Sequence, residues 1–308
     1  MNTFSIVIPV YYNEDSLHPL MEVLSGIEKK LHERDCKLEL IFVDDGSRDR
    51  SLERLKEIKR SRPATVVLTH LANRGSMTAI KTGLSRVTGN CFTYLAADLQ
   101  DPPELLLEMY EHWASGERFI VRTRASRKDP ALTQFFAWMN YKLVRLLVIK
   151  DYPEGGFDMA VMDRCFLVPM LRCGRNKNLA MFAWTLGVPA KILSYHRQER
   201  SHGKSMWTFT KKLNYFIDST VGFSVRPLRF LTILGFTLAL GCFTYTAIVV
   251  AGRLLGWIEV PGFAALASIL GFLQGCCFIM IGVHGEYTWR IYTEINQVPD
   301  AMIEEVTQ

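Results

Sequence analysis

The residues of this chain best suited to chemistry fall in three acidic turns. The most marked is Asp98-Leu-Gln100-Asp101-Pro-Pro-Glu104, where an aromatic and apolar run from Cys91 to Ala97 breaks abruptly into acids and two prolines. Hard oxygen ligands at alternating positions, here Asp98 and Gln100, suit Mg2+ or Mn2+ carrying a diphosphate. An acidic turn whose aspartate caps the helix opened by Pro102-Pro103 accounts for the same residues. The second turn is Asp44-Asp45-Gly46-Ser47-Arg48-Asp49, and the third is Asn13-Glu14-Asp15, which follows Pro9-Val-Tyr11-Tyr12.

Each turn closes a stretch that reads as a buried strand and opens one that reads as a helix. Phe4 to Val10 precedes a helix with apolar positions Leu17, Leu20, Val23, Leu24 and Ile27. Lys37 to Val43 precedes Ser51 to Lys59, Ala64 to Leu68 precedes Ser76 to Val87, and Cys91 to Ala97 leads into the helix after the prolines. A further strand is expected over Phe119 to Arg122. Strand, polar loop and helix in repetition predict an α/β domain with an open sheet and a ligand crevice at the strands' carboxyl ends. Neither GxGxxG nor GxxxxGK[ST] occurs, so a dinucleotide fold or P-loop is not supported.

After about Val225 the composition changes. Phe230 to Gly252 carries no charged side chain, and Val260 to Gly285 has only Ser268, Gln274 and His284 as polar side chains of note. Both runs exceed the roughly 20 residues that cross a bilayer, so two transmembrane helices are expected. A buried hairpin in a soluble protein is the alternative. Arg226, Arg229 and Arg290 flank the runs, while the short connection sets Arg253 against Glu259, a bias that puts both termini in the cytoplasm. Gly235, Gly241, Gly271, Gly275 and Gly282 would let the two helices approach closely. Two earlier segments, Ala131 to Lys150 and Trp207 to Val225, read as amphipathic interface helices, although packing on the sheet explains them equally.

The expected domains are therefore 1–225, cytosolic; 226–290, a transmembrane hairpin; and 291–308, a cytosolic tail. No signal peptide is read at the N-terminus. A net charge of +5 is too small to argue for nucleic acid but suits an anionic membrane surface. The seven cysteines show no metal-binding spacing and are expected as free thiols. The oligomeric state is open, a homo-oligomer included.

Several of these residues, taken in order, carry a family resemblance: Ile6-Val-Ile-Pro-Val10 with Asn13-Glu14, Val43-Asp-Asp-Gly-Ser47, Ala97-Asp-Leu-Gln-Asp-Pro-Pro-Glu104, Phe157-Asp158 with Met162-Asp-Arg164, Arg197-x-x-Arg200-x-x-Gly203-x-Ser205-x-Trp207, and Gly285-Glu-Tyr287 with Arg290 and Tyr292. Together they resemble the family 2 glycosyltransferases of GT-A fold. Within these the chain looks most like the polyprenyl-phosphate glycosyltransferases, relatives of dolichol-phosphate mannose synthase and bactoprenol glucosyltransferase. A processive polysaccharide synthase would need a Gln-x-x-Arg-Trp motif and more spans, and the chain has neither.

The resemblance implies an inverting transfer of a sugar from a nucleotide sugar to polyprenyl (undecaprenyl) phosphate at the cytosolic face of the plasma membrane. It implies that Pro9, Tyr11, Glu14, Asp44, Asp45 and Asp98 line the nucleotide sugar, and that Asp98 and Gln100 hold Mg2+ or Mn2+. Asp158 matches the family's catalytic aspartate. A phosphate monoester, with its second pKa near 6, is already mostly ionised at pH 7, so Asp158 is expected to orient the reactants or take a last proton. Arg122, Arg124, Arg127, Arg197, Arg200 and Ser205 would take the acceptor phosphate, for which the guanidinium fork is suited. The family's Asp-x-Asp pattern places another acid at position 96, where this chain has alanine, and one extra residue separates Pro9 from Asn13. A binding or scaffold protein that kept the fold and lost catalysis is the alternative that Ala96 suggests.

Overall fold

A computed structural model of the chain describes residues 1–99, 102–124, 142, 145, 149, 151–153, 156–157, 159–174, 178–195, 226–256, 262–295 and 301–306. In chain order the elements are β1 (Asn2–Val10), α1 (Leu17–His32), β2 (Cys36–Asp44), α2 (Ser51–Ser61), β3 (Val66–His70), α3 (Ser76–Leu84), β4 (Cys91–Tyr94), α4 (Leu105–Ala114), β5 (Phe119–Arg124) and β6 (Met159–Asp163). A single 3-10 turn, Arg164–Phe166, runs into α5 (Leu167–Leu171), followed by α6 (Leu179–Thr185), β7 (Lys191–Tyr195), α7 (Arg226–Leu254), α8 (Phe263–Ile295) and β8 (Ile303–Glu305).

Hydrophobic pattern dictates the layering. Phe4, Ile6, Val7, Ile8 and Val10 are fully buried, with no polar alternation, because helices cover both faces of β1. Helix α1 buries Leu17, Leu20, Leu24, Ile27 and Leu31, the stripe that 3.6 residues per turn requires. Helix α3 lies so close to the sheet that a Cβ on Gly83 would come within 2.3 Å of Val7 Cγ1 and 3.1 Å of Val43 Cγ2.

The strands form one sheet in the order β7-β5-β6-β4-β1-β2-β3-β8. β1 pairs in parallel with β2 and β4, and β2 with β3. β6 is antiparallel to both β4 and β5, so the sheet is mixed. The strand order reverses between β1 and β4, which places the crevice at their carboxyl ends.

Several boundaries differ from the sequence expectation, among them the end of α3, at Leu84 instead of Val87, and that of β5, at Arg124 instead of Arg122. β3 begins at Val66 instead of Ala64, because Thr65 N bonds back to Arg62 O at 2.9 Å and spends Pro63-Ala64 in a turn. β4 stops at Tyr94 instead of Ala97; Leu95 N still donates to Val7 O at 2.9 Å, and beyond it the chain leaves the sheet. β6, read from the sequence only as part of a motif, is a central strand. Its short apolar run has no periodicity of its own to announce a strand.

The chain divides into two compact units, one of Met1–Phe216 with Val298–Gln308 and one of Ile217–Gln297. Of the tail expected over 291–308, Val298–Gln308 falls in the first unit, where β8 pairs antiparallel with β3. Helices form over both apolar runs of the second unit. Leu228–Val249 in α7 is, among the described residues, the one stretch long and apolar enough to cross a membrane by length and composition, with 22 residues and a mean hydropathy of 1.7. Gly235 meets Met280, whose Cε would lie 3.3 Å from an added Cβ, whereas Cβ atoms at Gly241, Gly275 and Gly282 would meet nothing. The amphipathic segments 131–150 and 207–225 fall almost wholly outside the described residues.

Candidate active site

The crevice is walled by the turns after β1 and β2, laced together by backbone-to-side-chain bonds. Tyr12 N donates to Ser47 Oγ at 3.2 Å and Asn13 N to Ser51 Oγ at 2.9 Å. Glu14 N donates to Asp49 Oδ2 at 3.4 Å, and Glu14 Oε2 accepts from Arg50 N at 2.9 Å. Glu14 therefore braces the start of α2, leaving one carboxylate oxygen outside that bond. Val7 is the last β1 residue paired with β4, so Pro9, two residues on, costs that side no ladder bond. The extra residue between Pro9 and Asn13 is absorbed at Tyr12, which takes a left-handed φ of 55° and stands 48% exposed, its ring edge-on to half-buried Tyr11 at 4.6 Å.

The adjacent acids at the end of β2 do different work. Asp45 is 2% exposed and fully engaged: Oδ1 meets His70 Nδ1 at 2.7 Å and accepts from Arg74 N at 2.8 Å, while Oδ2 accepts from Gly75 N at 2.7 Å. His70 is buried, and its Nε2 meets Thr82 Oγ1 at 2.9 Å. Expected to line the ligand, Asp45 instead ties the β3–α3 loop to the sheet. Asp44 is 1% exposed, and its Oδ2 accepts from Ser47 N at 3.3 Å and Thr69 Oγ1 at 3.2 Å. Its Oδ1 is buried and, among the described residues, has no hydrogen-bond partner. A buried carboxylate oxygen without a partner is costly. Gly46 is required between these turns: its φ is +71° and a Cβ there would lie 2.9 Å from the Ala72 carbonyl carbon.

Past the end of β4 the chain turns sharply. Ala96 is exposed, Ala97 buried, Asp98 half-buried, and Leu99 takes a left-handed φ of 56°. A carboxylate followed by a strained backbone step at a strand end fits a metal or diphosphate ligand. The expected second ligand, Gln100, lies outside the described residues. Among the described residues no three His, Cys, Asp or Glu side chains group as a metal site.

Arg122, expected to take the acceptor phosphate, is engaged elsewhere. It is 3% exposed on β5 and ion-paired with Glu108 of α4, so a phosphate would have to displace that carboxylate. Arg124 ends β5 in register with Tyr195. Arg127, Asp158, Arg197, Arg200 and Ser205 lie outside the described residues. Phe157, just before Asp158, sits in an aromatic cluster with Phe119, Tyr152 and Trp184, ring centroids 5.7–6.1 Å apart. Thr69 and His70, which meet the two aspartates, and Thr82, which meets His70, escaped the sequence reading because single hydroxyl and imidazole groups carry no spacing signal.

Residues 5–163 match the model of glycosyl transferase family 2. The chain belongs to this family. The match runs from β1 to the end of β6 and takes in every described residue of the crevice. An uncharacterised glycosyltransferase of Synechocystis sp. is 32% identical over 98% of this chain and 95% of its own length. The undecaprenyl-phosphate 4-deoxy-4-formamido-L-arabinose transferase of Pectobacterium atrosepticum is 30% identical over 98% of this chain and 92% of its own. Among solved structures, glucosyl-3-phosphoglycerate synthase from Mycobacterium tuberculosis is similar at a TM-score of 0.49 and 15% identity, covering 71% of this chain and 80% of that one. As a family 2 member the protein is a glycosyltransferase with a GT-A-like α/β fold and mixed sheet.

Proposed function

We propose that the protein transfers a sugar from a nucleotide sugar to polyprenyl phosphate, with inversion, at the cytosolic face of a membrane. The observation that carries the donor half is Asp44 Oδ1, a buried acceptor without a partner among the described residues, fixed at the carboxyl end of β2 where a base or ribose N–H or O–H would satisfy it. Pro9, Tyr11 and Glu14 complete that wall. Asp98, with Gln100, would hold a divalent ion, which when bound supplies positive charge to the leaving diphosphate. The chain's own part is placement: the braced turns hold the nucleotide, Asp158 orients the reactants, and the ionised acceptor phosphate attacks the anomeric carbon in line. Arg124, Arg127, Arg197, Arg200 and Ser205 would take the acceptor phosphate, with Arg122 left to Glu108.

The acceptor half is supported by the length-wide similarity to a transferase named for undecaprenyl phosphate and by the apolar helices. Residues on both sides of the second unit build the same sheet. If α7 crosses a bilayer, the chain must therefore cross an even number of times to rejoin β3, and α8 is the helix available to return it. This favours a two-span plasma-membrane protein with both termini cytoplasmic.

The test is incubation of the purified full chain with undecaprenyl phosphate and radiolabelled UDP-, GDP- and dTDP-sugars, scoring lipid-soluble label. One nucleotide sugar should give product, excess EDTA should abolish it, and Asp98→Asn should lower kcat by orders of magnitude. Folded protein silent on the whole panel would overturn the reading.

A further inference from the structure

The strand beyond β3 comes from the far end of the chain. β8 sets Ile303 opposite His70, Glu304 opposite Thr69 and Glu305 opposite Leu68. Val306 N donates to Val67 O at 2.9 Å and Leu71 N to Met302 O at 3.4 Å. Arg86, just past α3, pairs with Glu305 at 2.9 Å. Two of the faced residues hold the crevice acids: Thr69 Oγ1 donates to Asp44 Oδ2, and His70 Nδ1 meets Asp45 Oδ1. Without β8, the five-residue β3 would be an edge strand held by β2 alone, and sparsely held edges are where sheets open locally.

β8 itself is held lightly. Its three side chains are exposed, and next to it Val306, half-buried, packs against the core. Among the described residues the strand is fastened by backbone bonds and one surface ion pair, Arg86–Glu305.

We propose that β8 is a positioning element of the nucleotide site: it fixes the carboxyl end of β3, hence Thr69 and His70, and through them Asp44 and the Asp45-anchored loop. The proposal rests on the nucleotide reading of the crevice. Coupling between sites is reciprocal. If β8 strengthens nucleotide binding, nucleotide must strengthen the pairing of β8, so the segment following α8 responds to occupancy of the site.

Hydrogen exchange on the full chain in detergent, with and without UDP, GDP or dTDP, tests this directly. With a nucleotide that binds, the Val306 amide should exchange roughly 5-fold or more slowly than without it, and Val306→Pro, which removes that N–H, should weaken nucleotide binding by the same factor. At saturating nucleotide sugar kcat should persist, which separates positioning from general damage. Arg86→Glu and Glu305→Arg should each weaken nucleotide binding, and the double exchange should restore it. An unchanged Val306 amide in the nucleotide complex overturns the proposal. So does full nucleotide affinity in a Val306→Pro chain whose segment 301–306 exchanges freely. If Val306→Pro fails to fold, exchange in the unmodified chain decides. A chain that binds none of the three nucleotides fails at the underlying reading, a result distinct from binding without a response at β8.

Discussion

Asp44 and Asp45 are chemically identical neighbours that their partners make opposite in role. Asp45 gives its carboxylate to two backbone N–H groups and His70, whereas Asp44 keeps one buried oxygen unmatched among the described residues. Asp45→Ala should cost about 3 kcal/mol or more, since it leaves buried groups unsatisfied, and lower Tm by several degrees. Asp44→Asn should hold or raise Tm, because it removes an unpaired buried charge. It should also weaken nucleotide-sugar binding about 10- to 100-fold, the effect of a lost hydrogen bond to a charged group. Thermal unfolding and nucleotide titration of both variants check this. The pair Asp44-Asp45 was singled out in the sequence, but the division of labour was not, because it depends on Thr69 and His70, which reach the aspartates only through folding, and on Thr82 behind His70. Arg122 teaches the same point. Removing Glu108 strands a buried guanidinium, so Glu108→Ala should lower the denaturant midpoint more than Arg122→Met, which removes the charge and keeps the packing. Neither should move the KM for lipid phosphate.

Among the elements, α3 packs closely on β1 and β2. Gly83 is the contact point, and a methyl group there would overlap Val7. Overpacking of this kind typically costs about 1–3 kcal/mol, so Gly83→Ala should lower Tm, and because α3 begins at the loop that Asp45 anchors, it should weaken nucleotide-sugar binding too. Unfolding and titration of the variant measure both; unchanged values would mean that α3 shifts freely. Most elements of the parallel half were readable because apolar strands and amphipathic helices alternate there with the periods the two structures impose. Their ends were less so: β4 was read to Ala97, yet it stops at Tyr94. β6 and β8 were not read as strands. One is a short apolar run without alternation, and the other, with three exposed side chains, is defined only by the edge it covers.

On the scale of the whole molecule, the sheet is completed from both sides of the helical unit, and this alters what a soluble fragment would be. Composition alone suggests a self-sufficient domain ending near Val225. A chain cut there loses Val298–Gln308 and with it β8, leaving β3 as an uncovered edge with its backbone groups unpaired, a template for association with other chains. The backbone bonds of Val306 and Leu71 and the half-exposed Arg86–Glu305 pair together contribute on the order of 1–3 kcal/mol. A domain of this size should therefore lose roughly 3–10 °C in Tm. The fragment is expected to melt lower than one carrying residues 298–308 on a flexible glycine-serine linker, and to aggregate sooner on concentration. It should bind nucleotide sugar more weakly, although every acidic turn is still present. Adding the tail back through the linker should restore both stability and binding without α7 or α8. Equal melting of the two fragments would mean that β8 contributes nothing to the fold and that the sheet is already complete at β3.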